Sequence, residues 1–197
     1  MFWHHDEADY HGAFLFLQGN DKLRVMLFTG KGDKGDTGLF GCKQRISKSS
    51  AVAEALGSLD EINSLLGVVK MSAPEQVAEI LAQVQQNLFI IQAELAGAAK
   101  QINAEKVAAV EAIINGAEKE LPPIKTFFVS GGTILAAQLD HARTVARRAE
   151  RRVVAVVAER PLGEFTLAYL NRLSSLLYAL ARLANHQSGI KEESPRY

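Results

Sequence analysis

The stretch Ser49-Ser50-Ala51-Val52-Ala53-Glu54-Ala55-Leu56-Gly57-Ser58-Leu59-Asp60-Glu61-Ile62-Asn63-Ser64-Leu65-Leu66-Gly67-Val68-Val69 decides the fold class. Within it Val52, Ala55, Leu59, Ile62, Leu66 and Val69 recur at alternating spacings of three and four. That rhythm places them on one stripe of a helix. The same rhythm continues downstream. Pro74 opens a second helix whose buried side is Val77, Ile80, Leu81, Val84, Leu88, Ile91 and Leu95, ending near Gly97. A third runs from about Ala104 to Lys119 and is closed by Leu121-Pro122-Pro123. After the short apolar run Ile124 to Val129 and the punctuation Ser130-Gly131-Gly132-Thr133, a fourth helix carries Leu135, Leu139, Ala142, Ala146, Ala149, Val153 and Val156. Pro161 and Gly163 end it, and a fifth runs from about Glu164 to His186 on Leu167, Leu170, Leu173, Leu177, Leu180 and Ala184. Five helices joined by short turns predict an all-α, up-and-down helical bundle.

Length and composition fit one such domain. The 197 residues suffice for one well-filled core, and 48% hydrophobic with 22% charged residues is ordinary for a globular chain. Twenty-two basic and twenty-two acidic side chains cancel, so the molecule as a whole has no pull towards nucleic acid or membrane. Any basic surface is therefore local. Cys42 is the only cysteine and has no intramolecular partner, which fits a reducing compartment. Near the N-terminus stand Asp6, Glu7 and Asp9 where a secretory signal carries Lys or Arg, so a cytoplasmic location is expected. Residues 1–25 differ from the rest. They read either as an ordered arm packed on the body or as a stretch upstream of a start at Met26, and their His4, His5 and His11 read as a solvated tail rather than a metal site. The expected organisation is an extension over 1–25, a bundle domain over 26–190 and a tail over 191–197.

Two clusters carry candidate chemistry. The first is the loop Thr29-Gly30-Lys31-Gly32-Asp33-Lys34-Gly35-Asp36-Thr37-Gly38. Its G-x-G-x-x-G match lacks the βαβ setting that gives the dinucleotide fingerprint meaning, because Gly38 and Gly41 keep a helix from starting. A P-loop fails too, since Asp36 occupies the lysine position. What remains is a flexible loop of phosphate size with Lys31, Lys34 and Thr37 as donors and Lys48 further on.

The second cluster is the arginine-dense stretch His141 to Arg152. A helix turns about 100° per residue, so relative to Arg143 the side chain of Arg147 lies near ~40°, Glu150 near ~−20° and Arg151 near ~80°. These form one polar wall. Arg148 and Arg152 fall near ~140° and ~180°, on another side. On the fifth helix Asn171, Ser175, Tyr178 and Arg182 lie within about 60° of one another, a matching stripe. Two readings stand side by side: a solvated face of Arg–Glu pairs, or two walls of a shared cleft or subunit boundary in which guanidinium forks meet phosphate.

With both clusters in view the chain resembles the PduO-type ATP:cob(I)alamin adenosyltransferases. The resemblance rests on Thr29-Gly30-Lys31-Gly32-Asp33-Lys34-Gly35-Asp36-Thr37, on Glu54-Ala55-Leu56-Gly57-Ser58-Leu59-Asp60-Glu61-Ile62-Asn63-Ser64 and on Ser130-Gly131-Gly132-Thr133. Ala142-Arg143-Thr144-Val145-Ala146-Arg147-Arg148-Ala149-Glu150-Arg151 and Tyr169-Leu170-Asn171-Arg172-Leu173-Ser174 complete it, over residues 26 to about 186. It implies a five-helix bundle assembling as a homotrimer with active sites between subunits. It implies ATP bound by Thr29, Gly30, Lys31, Gly32, Asp33, Gly35 and Thr37 with Lys48, and by Arg143, Arg147, Glu150, Arg151 and Asn171. An intersubunit ion pair falls on Asp60 and Arg143, and the hydrophobic residue crowding the lower corrin face falls on Phe127. Departures from the family pattern are Val52, Leu56 and Ser130.

The implied reaction moves the 5′-deoxyadenosyl group of ATP to the cobalt of reduced cob(I)alamin and releases triphosphate, with Mg²⁺ accompanying ATP and no metal held by the protein's own ligand set. Arg143, Arg147 and Asp60 are the implied catalytic group. The implied partners are a cobalamin reductase and an adenosylcobalamin-dependent enzyme, with neither nucleic acid nor membrane. Two other readings remain: a non-catalytic nucleotide or cobalamin carrier, and a helical interaction scaffold whose arginines pair across an oligomer interface.

Overall fold

The computed structural model describes the backbone of residues 14–16 and 24–26, and backbone and side chains of 28–39 and 45–196. His4, His5, His11 and Cys42 lie outside the described residues. Among the described residues four short strands precede the helices: β1 (Phe14–Phe16) pairs antiparallel with β2 (Arg24–Met26), and β3 (Asp36–Gly38) with β4 (Arg45–Ser47). The boundary expected at residue 26 thus falls inside β2. Helices α1 (Ala51–Lys70), α2 (Glu75–Leu95), α3 (Ala104–Glu120), α4 (Ile134–Val157) and α5 (Thr166–Gln187) follow. All five expected helices are present, and the two hairpins are additions to the all-α expectation.

Helices α1, α3 and α4 begin where a side chain satisfies one of the first free N–H groups. Ser50 Oγ accepts from the Ala53 N–H, Asn103 Oδ1 from Lys106 and Thr133 Oγ1 from Ala136. Helix α5 has no such residue of its own. Glu94, buried on α2, reaches across to accept from the Gly163 N–H and the Thr166 hydroxyl, so a carboxylate from a neighbouring helix sits at the positive end of α5.

The core forms where the stripes meet. Ala55, Leu59, Ile62, Leu66 and Val69 of α1, Leu81, Leu88, Ile91 and Leu95 of α2, and Leu173, Leu176 and Leu177 of α5 are all fully buried. Removing such a side chain to Ala costs about 2–5 kcal/mol, transfer and cavity together. The stripe of α4 is small instead: Ala142, Ala146 and Ala149 are fully buried, which lets α4 lie close against α1 on one side and α5 on the other. Tyr169 is fully buried, and its hydroxyl accepts from Asn87 Nδ2 at 3.0 Å. Burial pushes this phenol up to about 12, with the Asn87 hydrogen bond opposing.

The packing order departs from a simple chain-order bundle. Chain neighbours α1 and α2, and α4 and α5, pack together, but α1 also packs on α4, α2 touches α5, and α3 rests on α5. The result is a group of α1, α2, α4 and α5 with α3 on the α5 flank. The reason is compositional: α3 buries only Val107, Val110 and Ala117, too narrow a stripe for a central position. The connection from α3 to α4 therefore runs along the bundle surface, and this connection holds Phe127.

Candidate functional site

The glycine-rich loop is held together by hydrogen bonds of its own. Asp33 N–H donates to the Gly30 carbonyl at 3.2 Å, Gly35 N–H to Gly32 at 3.1 Å, and Lys48 N–H to Gly35 at 2.9 Å. Gly30 and Gly35 have φ of 68° and 79°, a region in which a Cβ is strained. Arg45 organises the unit. Its Nε donates to Asp36 Oδ2 at 2.8 Å, and its Nη2 donates to Asp36 Oδ1 at 2.9 Å and to the Lys31 carbonyl at 2.8 Å. The Arg45 hydrogen bond holds the Asp36 carboxyl below the usual aspartate range, with slight burial opposing. Lys48 Nζ donates to the Gly32 carbonyl at 3.0 Å, so the lysine that follows the loop points back into it. Thr29 Oγ1 accepts the Lys31 N–H at 3.3 Å.

On α4 the expected division of arginines is observed. Arg148 and Arg152 face α1, where they pair with Glu61 and Glu54. Arg143, Arg147, Glu150 and Arg151 turn the other way. Arg143 Nε donates to Asp140 Oδ1 at 2.7 Å, and its guanidinium lies 5.9 Å from the Tyr178 ring centroid on α5. Arg147 is exposed and has no ion-pair partner among the described residues. Glu150 accepts from Asn171 Nδ2 at 3.1 Å, which joins the two polar walls. Arg151 bends back to the Arg147 carbonyl at 3.0 Å.

A cavity of about 770 Å³ opens between these walls, lined by Phe127, Asp140, Arg143, Arg147, Ser175 and Tyr178 among others. That volume is within the range of pockets that hold cofactor-sized ligands. Arg143 and Arg147 bring positive charge to its lining, beside Asp140. Its apolar lining includes Phe127, 80% exposed, and Val129, 56% exposed, both on the irregular connection before α4. Aromatic bulk left facing open space has not been placed there for core packing. Burial raises the Asp140 pKa, but the hydrogen bonds from Arg143 and Ser130 and the charge of Arg143 outweigh it and leave the carboxyl below its usual range. Burial raises the Tyr178 hydroxyl, so it stays protonated at neutral pH.

The structure therefore brings Arg143, Arg147 and Phe127 to one cavity and sets Glu150, Arg151 and Asn171 beside it. It does not bring in the loop. None of Thr29, Gly30, Lys31, Gly32, Asp33, Gly35, Thr37 or Lys48 lines the cavity. Asp60 is exposed on α1, and within the protomer Arg143 pairs with Asp140 instead. Arg182 leaves the stripe assigned to it: it is 4% exposed and pairs with Glu192, because helix α5 turns that position towards the C-terminal segment. Asp140 and Arg45 were not foreseen. Asp140 is findable in retrospect, three residues before Arg143 and so on the same helix face.

Comparison with known proteins gives a consistent result. The sequence model of the cobalamin adenosyltransferase family matches residues 27–184. The corrinoid adenosyltransferase PduO of Salmonella typhimurium is 40% identical over 185 residues, 88% of this chain and 55% of that protein. The PduO of Citrobacter freundii is 40% identical over 172 residues, 83% of this chain and 51% of that one. The chain thus spans about half the length of these two relatives. The corrinoid adenosyltransferase of Bacillus subtilis, 39% identical over 176 residues, is covered to 90%. Among solved structures, a variant PduO-type ATP:corrinoid adenosyltransferase from Lactobacillus reuteri complexed with cobalamin and ATP superposes with a TM-score of 0.83 at 32% identity, covering 87% of this chain and 100% of that one. An arginine-to-lysine variant of the Lactobacillus reuteri enzyme complexed with ATP gives 0.80 at 32% identity, with 86% and 99% covered.

Proposed function

We propose, from the premise that this chain belongs to the cobalamin adenosyltransferase family, that it transfers the 5′-deoxyadenosyl group of ATP to the cobalt of a reduced corrinoid. The observation that carries the proposal is the mixed lining of the cavity. Arg143, Arg147 and exposed Phe127 line the same cavity, which offers guanidinium groups to a polyphosphate and aromatic bulk to a large flat macrocycle.

In the reaction, Co(I) attacks the ribose C5′, the C5′–O5′ bond breaks, and triphosphate leaves with the bonding pair. The nucleophile belongs to the substrate, so the protein supplies position and charge rather than a base. Arg147 and Arg143 stabilise the charge that grows on the leaving oxygen, a role suited to fixed guanidinium forks. The Arg143–Asp140 pair aims one of them. Phe127 fills the space beneath the corrin and excludes an axial ligand, which makes Co(II) easier to reduce. Mg²⁺ enters the proposal as an ion carried by the nucleotide. Asp33 and Glu150 are the carboxylates available to it beside triphosphate oxygens, where it would neutralise developing charge.

The loop enters from a neighbouring copy. Because Thr29, Gly30, Lys31, Gly32, Asp33, Gly35, Thr37 and Lys48 form a separate folded unit outside the cavity, a homotrimer with each site between two subunits unites them with Arg143, Arg147, Glu150, Arg151 and Asn171. Asp60 of one subunit then reaches Arg143 of the next. Among the described residues no helix is long and apolar enough to cross a membrane. The remainder of the proposal is a cytoplasmic enzyme supplied by a cobalamin reductase and feeding an adenosylcobalamin-dependent enzyme.

The test is an anaerobic spectral assay with ATP, Mg²⁺ and reduced cobalamin, with triphosphate measured in parallel. Conversion of Co(I) to the alkylated spectrum with equimolar triphosphate is expected. ATP binding without either product would make the chain a carrier, and no ATP-dependent stabilisation would make it a scaffold.

A further inference from the structure

The connection that carries Phe127 belongs to no helix or strand between Leu121 and Thr133, so its shape is set by the groups it is tied to. Two of those ties run to Asn185, which holds Gly131 and Thr133, and two run to Arg182. This residue is 4% exposed on α5, and its Nε donates to the two carboxylate oxygens of Glu192 at 2.9 and 3.3 Å. Its Nη2 donates to the Pro122 carbonyl at 3.2 Å, and its guanidinium lies 5.0 Å from the Phe128 ring centroid. One side chain thus joins the end of α3, the residue next to Phe127, and the C-terminal segment. The segment makes its own tie one residue further on, where the Val129 N–H donates to the Glu193 carbonyl at 2.8 Å.

A guanidinium this deep is costly unless a carboxylate, a carbonyl and an aromatic face all meet it, and here all three do. Lysine would not serve, because an ammonium lacks the planar fork that reaches Glu192 and Pro122 together. Glu192 is 16% exposed at its side chain, so the pair is shielded from the screening that makes surface ion pairs weak.

We propose that Arg182 and Glu192 form a latch: the C-terminal segment, pinned to α5, clamps the 122–129 connection and thereby holds Phe127 over the cavity. Both are positioning residues, acting on the corrinoid through Phe127 and not through ATP. The inference rests on the reading of Phe127 given above. Opening the latch lets the connection move, and the fraction of molecules with Phe127 in place falls. Only the step that needs a crowded lower face then slows.

The first measurement needs no ligand. Hydrogen exchange at the Val129 amide should be about tenfold faster or more in Glu192→Ala, while amides in the middle of α5 such as that of Leu177 keep their protection. Arg182→Lys should behave like Glu192→Ala, and Glu192→Gln should be intermediate. The second measurement compares turnover starting from Co(II) plus reductant with turnover starting from chemically reduced Co(I). The loss in Glu192→Ala should be about fivefold larger from Co(II), with the KM for ATP little changed. An unaltered Val129 exchange rate overturns the latch, and equal losses from the two cobalt states overturn its positioning role. Phe127→Ala is run beside these. If that variant shows no selective loss from Co(II), the reading of Phe127 fails and the exchange data alone decide the latch; if it shows the loss and Glu192→Ala does not, only the latch falls.

Discussion

The substitution Gly132→Ala tests how the cavity wall is joined to α4. Gly132 has φ of 100°, where a residue with a Cβ pays about 1–3 kcal/mol in backbone strain. A Cβ built there lies 2.2 Å from Asn185 Oδ1, 2.6 Å from its Cγ and 2.7 Å from its Nδ2, so the whole amide has to leave. That amide is 7% exposed and makes two hydrogen bonds, accepting from the Thr133 N–H at 3.0 Å and donating to the Gly131 carbonyl at 2.9 Å. Losing both costs about 2 kcal/mol net at ~1 kcal/mol each, and the sum with the strain is about 3–5 kcal/mol. Urea unfolding at fixed protein concentration should show this as a lower midpoint at unchanged slope. A cycle with Asn185→Ala separates the parts. Asn185→Ala alone should cost about 2 kcal/mol and almost nothing once Gly132→Ala is present, because the bonds are already gone. A loss below ~1 kcal/mol in Gly132→Ala, or additive single effects, would refute the reasoning.

Arg147→Ala should fold normally yet turn over at least ~tenfold more slowly, corresponding to ~1.4 kcal/mol or more of lost transition-state stabilisation; wild-type kinetics in the folded variant would remove it from the site. Phe127→Ala, 80% exposed and so without a packing role, should leave the melting temperature in place and slow the route from Co(II) more than that from Co(I). Asp140 has a folded pKa below its unfolded one, so its contribution to stability is present above about pH 4 and is lost as pH falls through the lowered value. The stability difference between wild type and Asp140→Asn should therefore be largest above about pH 4 and shrink in acid, as read by unfolding midpoints across pH.

The helices were legible because their signal is periodic and local. Leu59, Ile62, Leu66 and Val69 announce the buried face of α1 without reference to any other segment, and the angular reckoning that separates Arg148 and Arg152 from Arg143 and Arg147 agrees with the observed partners Glu61, Glu54 and Asp140. Packing order was not legible, since it depends on how wide each stripe is relative to the others, and the narrow face of α3 becomes meaningful only in comparison.

The site divides along the same line. Arg143 and Arg147 stood out as chemistry on one helix face, whereas Phe127 is one more apolar residue in a short run and was reached only through family resemblance. Arg45 was missed because its hydrogen bonds run to the Lys31 carbonyl and to the Asp36 carboxylate of the paired strand. Asn185 was missed for a related reason: its partners are backbone groups of Gly131 and Thr133, more than fifty positions away, and backbone groups leave no mark in a sequence. Arg182 misled because helical angle alone does not say which segment will cover a given face.

The central claim is that loop and arginines from two different subunits meet at one triphosphate, and subunit mixing tests it directly. Lys31→Ala cripples the loop and Arg147→Ala the arginine wall, each leaving only a small residual turnover alone. Unfolded together and reassembled in equal amounts, they should regain about one quarter of wild-type activity, because about a quarter of head-to-tail pairings unite an intact loop with an intact wall. If the mixture recovers no activity beyond that of the separate variants, although mixed trimers have formed, the loop and the arginines do not share a site across the interface.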